Sequence, residues 1–352
     1  MPMFRRDPRD QRPETLSFSK FDGVKNTVGE ERLGPADLVR AQNIDLDDVG
    51  QPRRRRGRTK VLDGDFHSAC TIPGGMYAVK DGVLGHVSTD YTFTPIVSGA
   101  GPKPIAYVTV GEQTYFSSED INGILSGMSV SPWGAIGPDG LWYSPVVSPT
   151  ATLAPVKGKL LGDPPKATSL AYLNGRIWAA SRRLVWATEP YLYGVVDRTK
   201  NFLQFEADNT FMAAVDDGIF IGTETAVYFL QAGQFPPKRM PILDVGAIAG
   251  SAVAVPGELI NLGTPAGAVQ EAKAAVMFMT EAGLCVGMNG GVCYNLTQTR
   301  VIFPDAVRAA AMFRRQDGVN QYVSVLDSGG SPVSNARIGD YLDAEIVRFR
   351  GA

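Results

Sequence analysis

Phe211-Met-Ala-Ala-Val-Asp-Asp-Gly-Ile-Phe-Ile-Gly222 decides how the rest of the chain is read. A short apolar run meets a turn built from Asp and Gly, and a second apolar run leads away from it. That is the signature of two antiparallel strands joined by a tight turn. Five further stretches repeat the plan: Met76–Val87, Ile105–Phe116, Ser169–Ala180, Ala275–Val286 and Met312–Val325. Asp-Gly, Asn-Gly or Gly-Glu stands at most of their turns, where a positive φ is expected and these residues accept it at little strain.

Several units continue into a third strand, as in Arg183–Thr188 and Thr225–Leu230. The turns fall near residues 82, 111, 175, 218, 283 and 318, a recurrence close to the roughly 40–50 residues of a four-stranded propeller blade. The unevenness of the recurrence predicts insertions. Residues 126–165, rich in Pro, Gly and Ser, and residues 244–271, rich in Ala and Gly, are the two candidates. The expected fold is therefore all-β, a β-propeller of about six blades, with two β-sandwich domains as the alternative. Ala-rich 271–279 and 304–313 read equally as helix or strand.

Composition agrees with a single large β domain over residues 17–352, preceded by a flexible arm at 1–16. The 352 residues are 44% hydrophobic and 20% charged, with 39 Gly and 24 Pro, the balance of many strands joined by many turns. Downstream of the arm, Pro35 is placed to open a short helix. Asn43 to Gly50 and the very basic Gln51 to Leu62 then read as a hairpin. The alternating end of residues 340–349 is expected to pair with an N-terminal strand and close the ring, since an open blade edge invites pairing with other chains.

The formal charge of −2 makes the chain as a whole no obvious nucleic-acid binder. Met1–Pro13 is charged and lacks the apolar stretch of a secretory signal. No run approaches the about 18 apolar residues of a membrane-spanning helix. Cys70, Cys285 and Cys293 are expected as small thiols assembled in a reducing cytoplasm; a Cys285–Cys293 bridge is the alternative.

Signs of chemistry are sparse. His67 and His86 belong to no nucleophile or metal motif and read as surface or strand-end residues. Carboxylates at Glu119 and Asp120, Asp216 and Asp217, and Glu189 and Asp197 could support glycoside hydrolysis, although Asp216-Asp-Gly is also what a hairpin turn favours. Ser118–Gly123 faintly resembles a sialidase Asp-box turn without its tryptophan spacing. Asp45–Gly50 begins like a calcium loop but continues into Pro and Arg where oxygen ligands are needed. The aromatics Trp178, Trp186, Tyr191, Tyr193, Phe202 and Phe205 could form a sugar platform, and read more simply as blade packing. No cofactor or metal is expected, and the chain is read as not an enzyme. The one conspicuous cluster is Arg53, Arg54, Arg55, Arg56, Arg58 and Lys60, a candidate interface or DNA-facing basic strand.

Taken in order, several phrases carry a family resemblance: Asn43-Ile-Asp-Leu-Asp, Arg54-Arg-Arg-Gly-Arg-Thr59, Leu173-Asn-Gly-Arg-Ile-Trp-Ala-Ala-Ser181, Val185-Trp-Ala-Thr-Glu-Pro-Tyr191, Asn201-Phe-Leu-Gln-Phe205 and Ala214–Leu230. Over residues 40–330 this organisation resembles the β-propeller tail hub or nozzle proteins of short-tailed bacteriophages. The resemblance implies a virion structural protein with no catalytic residues. It would form a ring of six copies around a channel that passes DNA without sequence specificity. Its neighbours would be adjacent tail or connector proteins, its location the virion tail after assembly in the host cytoplasm, and no membrane would be involved. A glycan-binding or glycan-hydrolysing propeller for host attachment is the alternative function.

Overall fold

The computed structural model describes residues 20–41, 44–46, 50–55, 57, 59–134, 142–143, 152–153, 160–260, 273–303, 305–316, 319–328 and 345–348. The expected arm at 1–16 lies outside them. The chain divides into two compact units, one of residues 1–56 with Thr299–Val301, the other of 57–298 and 302–352.

The first unit is small. Strand β1 (Gly23–Val24) runs parallel to β2 (Asp37–Leu38), and β3 (Ile44–Leu46) pairs antiparallel with β4 (Pro52–Arg54). Thr299–Val301 joins it through Asn26 N–H to Arg300 O at 3.0 Å and Arg300 Nη2 to Asp37 Oδ1 at 2.7 Å. The Asp37 carboxyl is held below the usual carboxylate range, first by the Gly34 N–H and then by Arg300 and Lys25. The helix expected at Pro35 is not formed. Pro35 and Ala36 make a turn closed by Asp37 N–H to Gly34 O at 3.0 Å, and Asp37 then enters β2. A Pro at the second place of a turn pre-sets φ for the turn as readily as for a helix.

The second unit is a series of antiparallel sheets, each pairing its strands in chain order. Blade 1 holds β5 (Phe66–Ile72), β6 (Gly75–Lys80), β7 (Val83–Ser88) and β8 (Phe93–Val97); blade 2 holds β9 (Ala106–Val110), β10 (Gln113–Ser117), β11 (Asn122–Ser126) and β12 (Ser129–Ser131). A separate pair, β13 (Trp142–Tyr143) and β14 (Thr152–Leu153), follows. β15 (Leu161–Gly162) leads into blade 3, formed by β16 (Ser169–Leu173), β17 (Arg176–Ser181), β18 (Leu184–Ala187) and β20 (Phe202–Gln204). β15 pairs with β19 (Val196–Asp197), which lies between the last two. Blade 4 is β21 (Asn209–Val215), β22 (Gly218–Thr223), β23 (Val227–Gln231) and β24 (Lys238–Leu243). Blade 5 is β25 (Val253–Pro256), β26 (Ala274–Thr280), β27 (Gly283–Met288) and β28 (Val292–Asn295). Blade 6 has three described strands, β29 (Arg308–Gln316), β30 (Val319–Asp327) and β31 (Glu345–Arg348). Both Ala-rich stretches left open by the sequence are strands, and the described residues contain only three short 3-10 turns besides the sheets.

Apolar clusters join each blade to the next. Tyr77, Val79 and Leu84 meet Ile105, Phe116 and Leu125 between blades 1 and 2. Tyr115 and Trp133 meet Leu170 and Ile177 between blades 2 and 3. Val185 and Phe205 meet Ile219 and Tyr228 between blades 3 and 4. Phe211 and Phe220 meet Phe278 and Cys285 between blades 4 and 5, and Met277 and Val286 meet Tyr322 between blades 5 and 6. Sheets stacked serially, with the middle ones buried on both faces, are the organisation of a β-propeller rather than of two sandwiches, in which sheets pack in pairs.

All six sequence units are hairpins, but they do not occupy one place in the blade. In blades 2, 3, 4 and 6 the unit is the first and second strands. In blades 1 and 5 it is the second and third. Much of the uneven turn spacing comes from this shift and not from insertions. Counted from their first strands, at Phe66, Ala106, Ser169, Asn209, Val253 and Arg308, the blades recur more evenly. The two long steps are those containing residues 135–159 and 257–273. Parts of the two expected insertions belong to blades, since β12 closes blade 2 and β25 opens blade 5. The C-terminal strand also differs from expectation. β31 pairs with β30, Val347 opposite Tyr322, and so extends its own blade, and among the described residues it pairs with no N-terminal strand.

Turn chemistry divides in two. Asp81-Gly82 and Asn174-Gly175 have φ of 51°, 77°, 49° and 71°, the paired positive values of a type I′ hairpin. In blade 4 the turn is Asp216-Asp217, and Gly218 is already paired with Val215. A Cβ on Gly218 would stand 2.1 Å from the Phe229 ring, so this glycine serves close packing and not a positive φ.

Candidate functional site

The basic cluster is only partly a strand. β4 ends at Arg54, and the stretch to Leu62 adds no further strand among the described residues. Arg53 stands opposite Asp45 and Arg54 opposite Ile44. With side chains alternating, Arg53 and Arg55 share the Asp45 face and Arg54 takes the other. Arg55 is half-buried and its Nε bonds Asp45 Oδ1 at 3.3 Å. Arg53 and Arg54 are exposed. Lys60 is exposed and ion-paired with Asp63. Arg56 and Arg58 lie outside the described residues, as do Asp47 and Asp48 of the calcium-like fragment, whose Asp45 is taken up by Arg55.

Asp216 and Asp217 tie one blade to the next. Asp216 Oδ2 accepts from Lys273 N–H at 2.8 Å and Asn289 Nδ2 at 2.9 Å, and Asp217 Oδ2 accepts from Gly290 N–H at 2.7 Å. Gly290 has φ of 74°, the left-handed geometry that turns its N–H toward the acid. The blade 4 turn thereby clamps the blade 5 turn. The Asp216 carboxyl lies below its ordinary range, chiefly through Asn289. Glu119 is exposed and ion-paired with Lys103, which lowers its pKa. Beside it, Ser118 Oγ accepts from Asp120 and Ile121 N–H, both at 3.1 Å. Thr223 repeats this in blade 4, its Oγ1 accepting from Ala226 N–H at 3.0 Å. The Asp-box-like phrase is thus a hydroxyl-closed turn between second and third strands. Asp197 is buried and accepts from Thr199 N–H at 3.0 Å, while Glu189 accepts from Asn201 Nδ2 at 3.2 Å.

His67 is half-buried at the start of β5, bonding Ser68 Oγ at 2.8 Å and Gly101 O at 3.1 Å. His86 lies inside β7 with its ring 6.0 Å from that of Tyr77. His67 is thus a strand-end residue, as expected, whereas His86 stands within its strand, and both are half-buried. All three thiols are free. Cys285 is buried in the core between blades 4 and 5, its Sγ 3.7 Å from Thr280 Oγ1 and 3.9 Å from Gly283 O, and Cys293 on the neighbouring strand packs against the same core. The six aromatics fall into separate places. Trp178 and Phe205 are core between blades 3 and 4. Tyr193 packs on Tyr115 and Tyr172, each 5.9 Å away, and burial pushes its phenol up to about 12. Trp186 and Phe202 pair on the outer strands at 5.2 Å, and Tyr191 is 70% exposed.

A set of inter-blade ties escaped the sequence reading. Ser68 Oγ accepts from Ile105 N–H at 2.8 Å, Ser117 Oγ from Ala167 N–H at 2.8 Å, and Ser169 Oγ from Met212 N–H at 2.9 Å. Ala247 N–H reaches Thr223 O at 2.9 Å, and Tyr322 donates to Ser251 O at 2.7 Å. A backbone group crossing between blades cannot join a ladder and must find a partner. Serine in an apolar strand is the one sequence signal for it.

No protein-family model and no curated protein matches the sequence. Solved structures similar in fold include the N-terminal domain of Nup159, 10% identical, over 89% of this chain and 98% of that one with a TM-score of 0.45. The WD40 domain of Neurospora crassa Pan2 is 10% identical over 82% and 80%, with a TM-score of 0.41. Kluyveromyces lactis Hsv2 is 8% identical over 79% and 81%, with a TM-score of 0.40. Among the described residues no helix is long and apolar enough to cross a membrane.

Proposed function

We propose that this chain is a structural, non-catalytic β-propeller that works by assembly, a subunit of a bacteriophage tail ring of the hub or nozzle type. In this reading six copies surround a channel for DNA and join neighbouring tail proteins in the virion. The observation that carries it is the use of the acidic pairs. Asp216 and Asp217, one of the three acidic pairs considered for hydrolysis, hold the neighbouring blade's turn.

The exposed Arg53 and Arg54 of β4 supply the contact surface for an acidic neighbour or for passing phosphate. A formal charge of −2 suits a channel wall, because each phosphate neutralised adds salt-sensitive affinity that would hold the DNA back. Electron microscopy and solution mass of the purified full chain, alone and with phage tail preparations, test the reading. Rings, or rings formed only on a tail, are the expected result. A persistent 37.7 kDa monomer that binds no tail component overturns it, and binding of that monomer to arrayed glycans would favour the attachment role instead.

A further inference from the structure

Between blades 3 and 4 lies a cleft of ≈ 210 Å³, with Leu173, Arg176 and Trp178 on one side and Ile219, Leu230 and Phe235 on the other. Its lining is mostly apolar, but two polar groups within it stand out. The Arg176 guanidinium lies 4.5 Å from the centre of the Phe235 ring and donates one Nη to Thr188 O at 2.6 Å. Burial lowers the Arg176 pKa, against the opposing influence of Glu189, which is itself held by Asn201. Trp178 is only 6% exposed, and its indole N–H is buried without an acceptor. Buried indole N–H groups ordinarily have a partner, and an unmet one is costly.

Pockets for drug-sized ligands enclose about 300–1,000 Å³. This cleft is smaller, of a size for one side chain, and opens between two blade ends where a longer chain could lie outside it. We propose that the cleft is a peptide-docking site, which takes one apolar side chain of a partner segment and sets an adjoining carboxylate on Arg176. A planar guanidinium already fixed on Phe235 loses little freedom when it grips a carboxylate. The inference does not depend on the chain entering a ring, and the two readings fail separately.

The test follows the Trp178 indole N–H resonance, assigned by its loss in Trp178→Phe, while the full chain is titrated with acetyl-Glu-Phe-Glu-amide. A saturable shift is expected, with acetyl-Lys-Phe-Lys-amide weaker by about tenfold or more, the worth of a charge-assisted hydrogen bond. Arg176→Gln should erase that preference. Because Arg176 also supports Thr188, a second variant, Gln234→Trp at the exposed rim, should block the shift without lowering Tm. No shift, or equal shifts from the two peptides, overturns the proposal. Benzoate acting as well as the acidic peptide would also overturn it, in favour of a small-acid pocket.

Discussion

Blades 4 and 6 are built from similar hairpins and end in different environments. Every residue of β22 in blade 4 is buried, because blade 3 covers one face and blade 5 the other. In blade 6 one face of the β29–β30 pair packs on blade 5 through Ala309, Ala311, Phe313 and Tyr322. Its opposite face is open along β29, where Met312 is 56% exposed beside Ala310, and at Val325, while Gln321 and Val323 of β30 on that face are buried. The difference shows how position in a stack sets what a strand must be. A strand covered twice can be apolar throughout, whereas one covered once needs its apolar residues on a single face. Ile219-Phe-Ile221 and Ala309-Ala-Ala-Met-Phe313 are both apolar runs, and only the first is used on both sides.

The largest expected effect is in the doubly covered blade. Phe220 sits between Phe229 at 4.9 Å and Phe278 at 6.2 Å, so Phe220→Ala should cost about 3–5 kcal/mol in chemical denaturation. Ser117→Ala comes next. It leaves the Ala167 N–H without its 2.8 Å acceptor in a buried site, a loss of about 1–3 kcal/mol that Thr should partly restore. Tyr322→Phe removes only the hydroxyl bonded to Ser251 O and should cost about 1 kcal/mol. The Asp216 tie should show in pH dependence. Its carboxyl is lowered in the fold, so its contribution is present above the ordinary carboxylate pKa of about 4 and lost as pH falls through the folded value. Asp216→Asn should therefore lower Tm at neutral pH and flatten the fall of Tm below about pH 4. Met312→Ser should lie within about 0.5 kcal/mol of the parent, and a large loss there would break the comparison.

Much of this architecture was legible as hairpins. Asn174-Gly175 and Asp81-Gly82 announce their turns because the backbone there needs paired positive φ values. What stayed hidden was position within the blade. Ala275–Val286 and Phe211–Gly222 look alike in sequence, but the first is a second-and-third-strand pair. Nothing local distinguishes them, since strand order follows from which edge starts the sheet. Gly218 misled for a related reason: a glycine beside Asp looks like a turn residue, and its role is to admit Phe229.

The candidate sites were less legible than the fold. The alternation of Arg53 and Arg54 could be read from period two, but Asp45 reaching Arg55 depends on register. Asp216 and Asp217 were visible as a turn, and their role in holding Asn289 and Gly290 required blade 5 to be in place. The cleft at Arg176 belongs to two blades, and Phe235 comes from a connection with no marked pattern.

Hydrogen exchange of the full chain, followed by mass spectrometry, tests most directly the claim that coverage by neighbouring blades sets the order of stability. Peptides from β22, β23 and β26 should exchange slowest, and those from β29 markedly faster. Equal protection of β22 and β29 would contradict it, and would mean that the Met312 face is covered in solution.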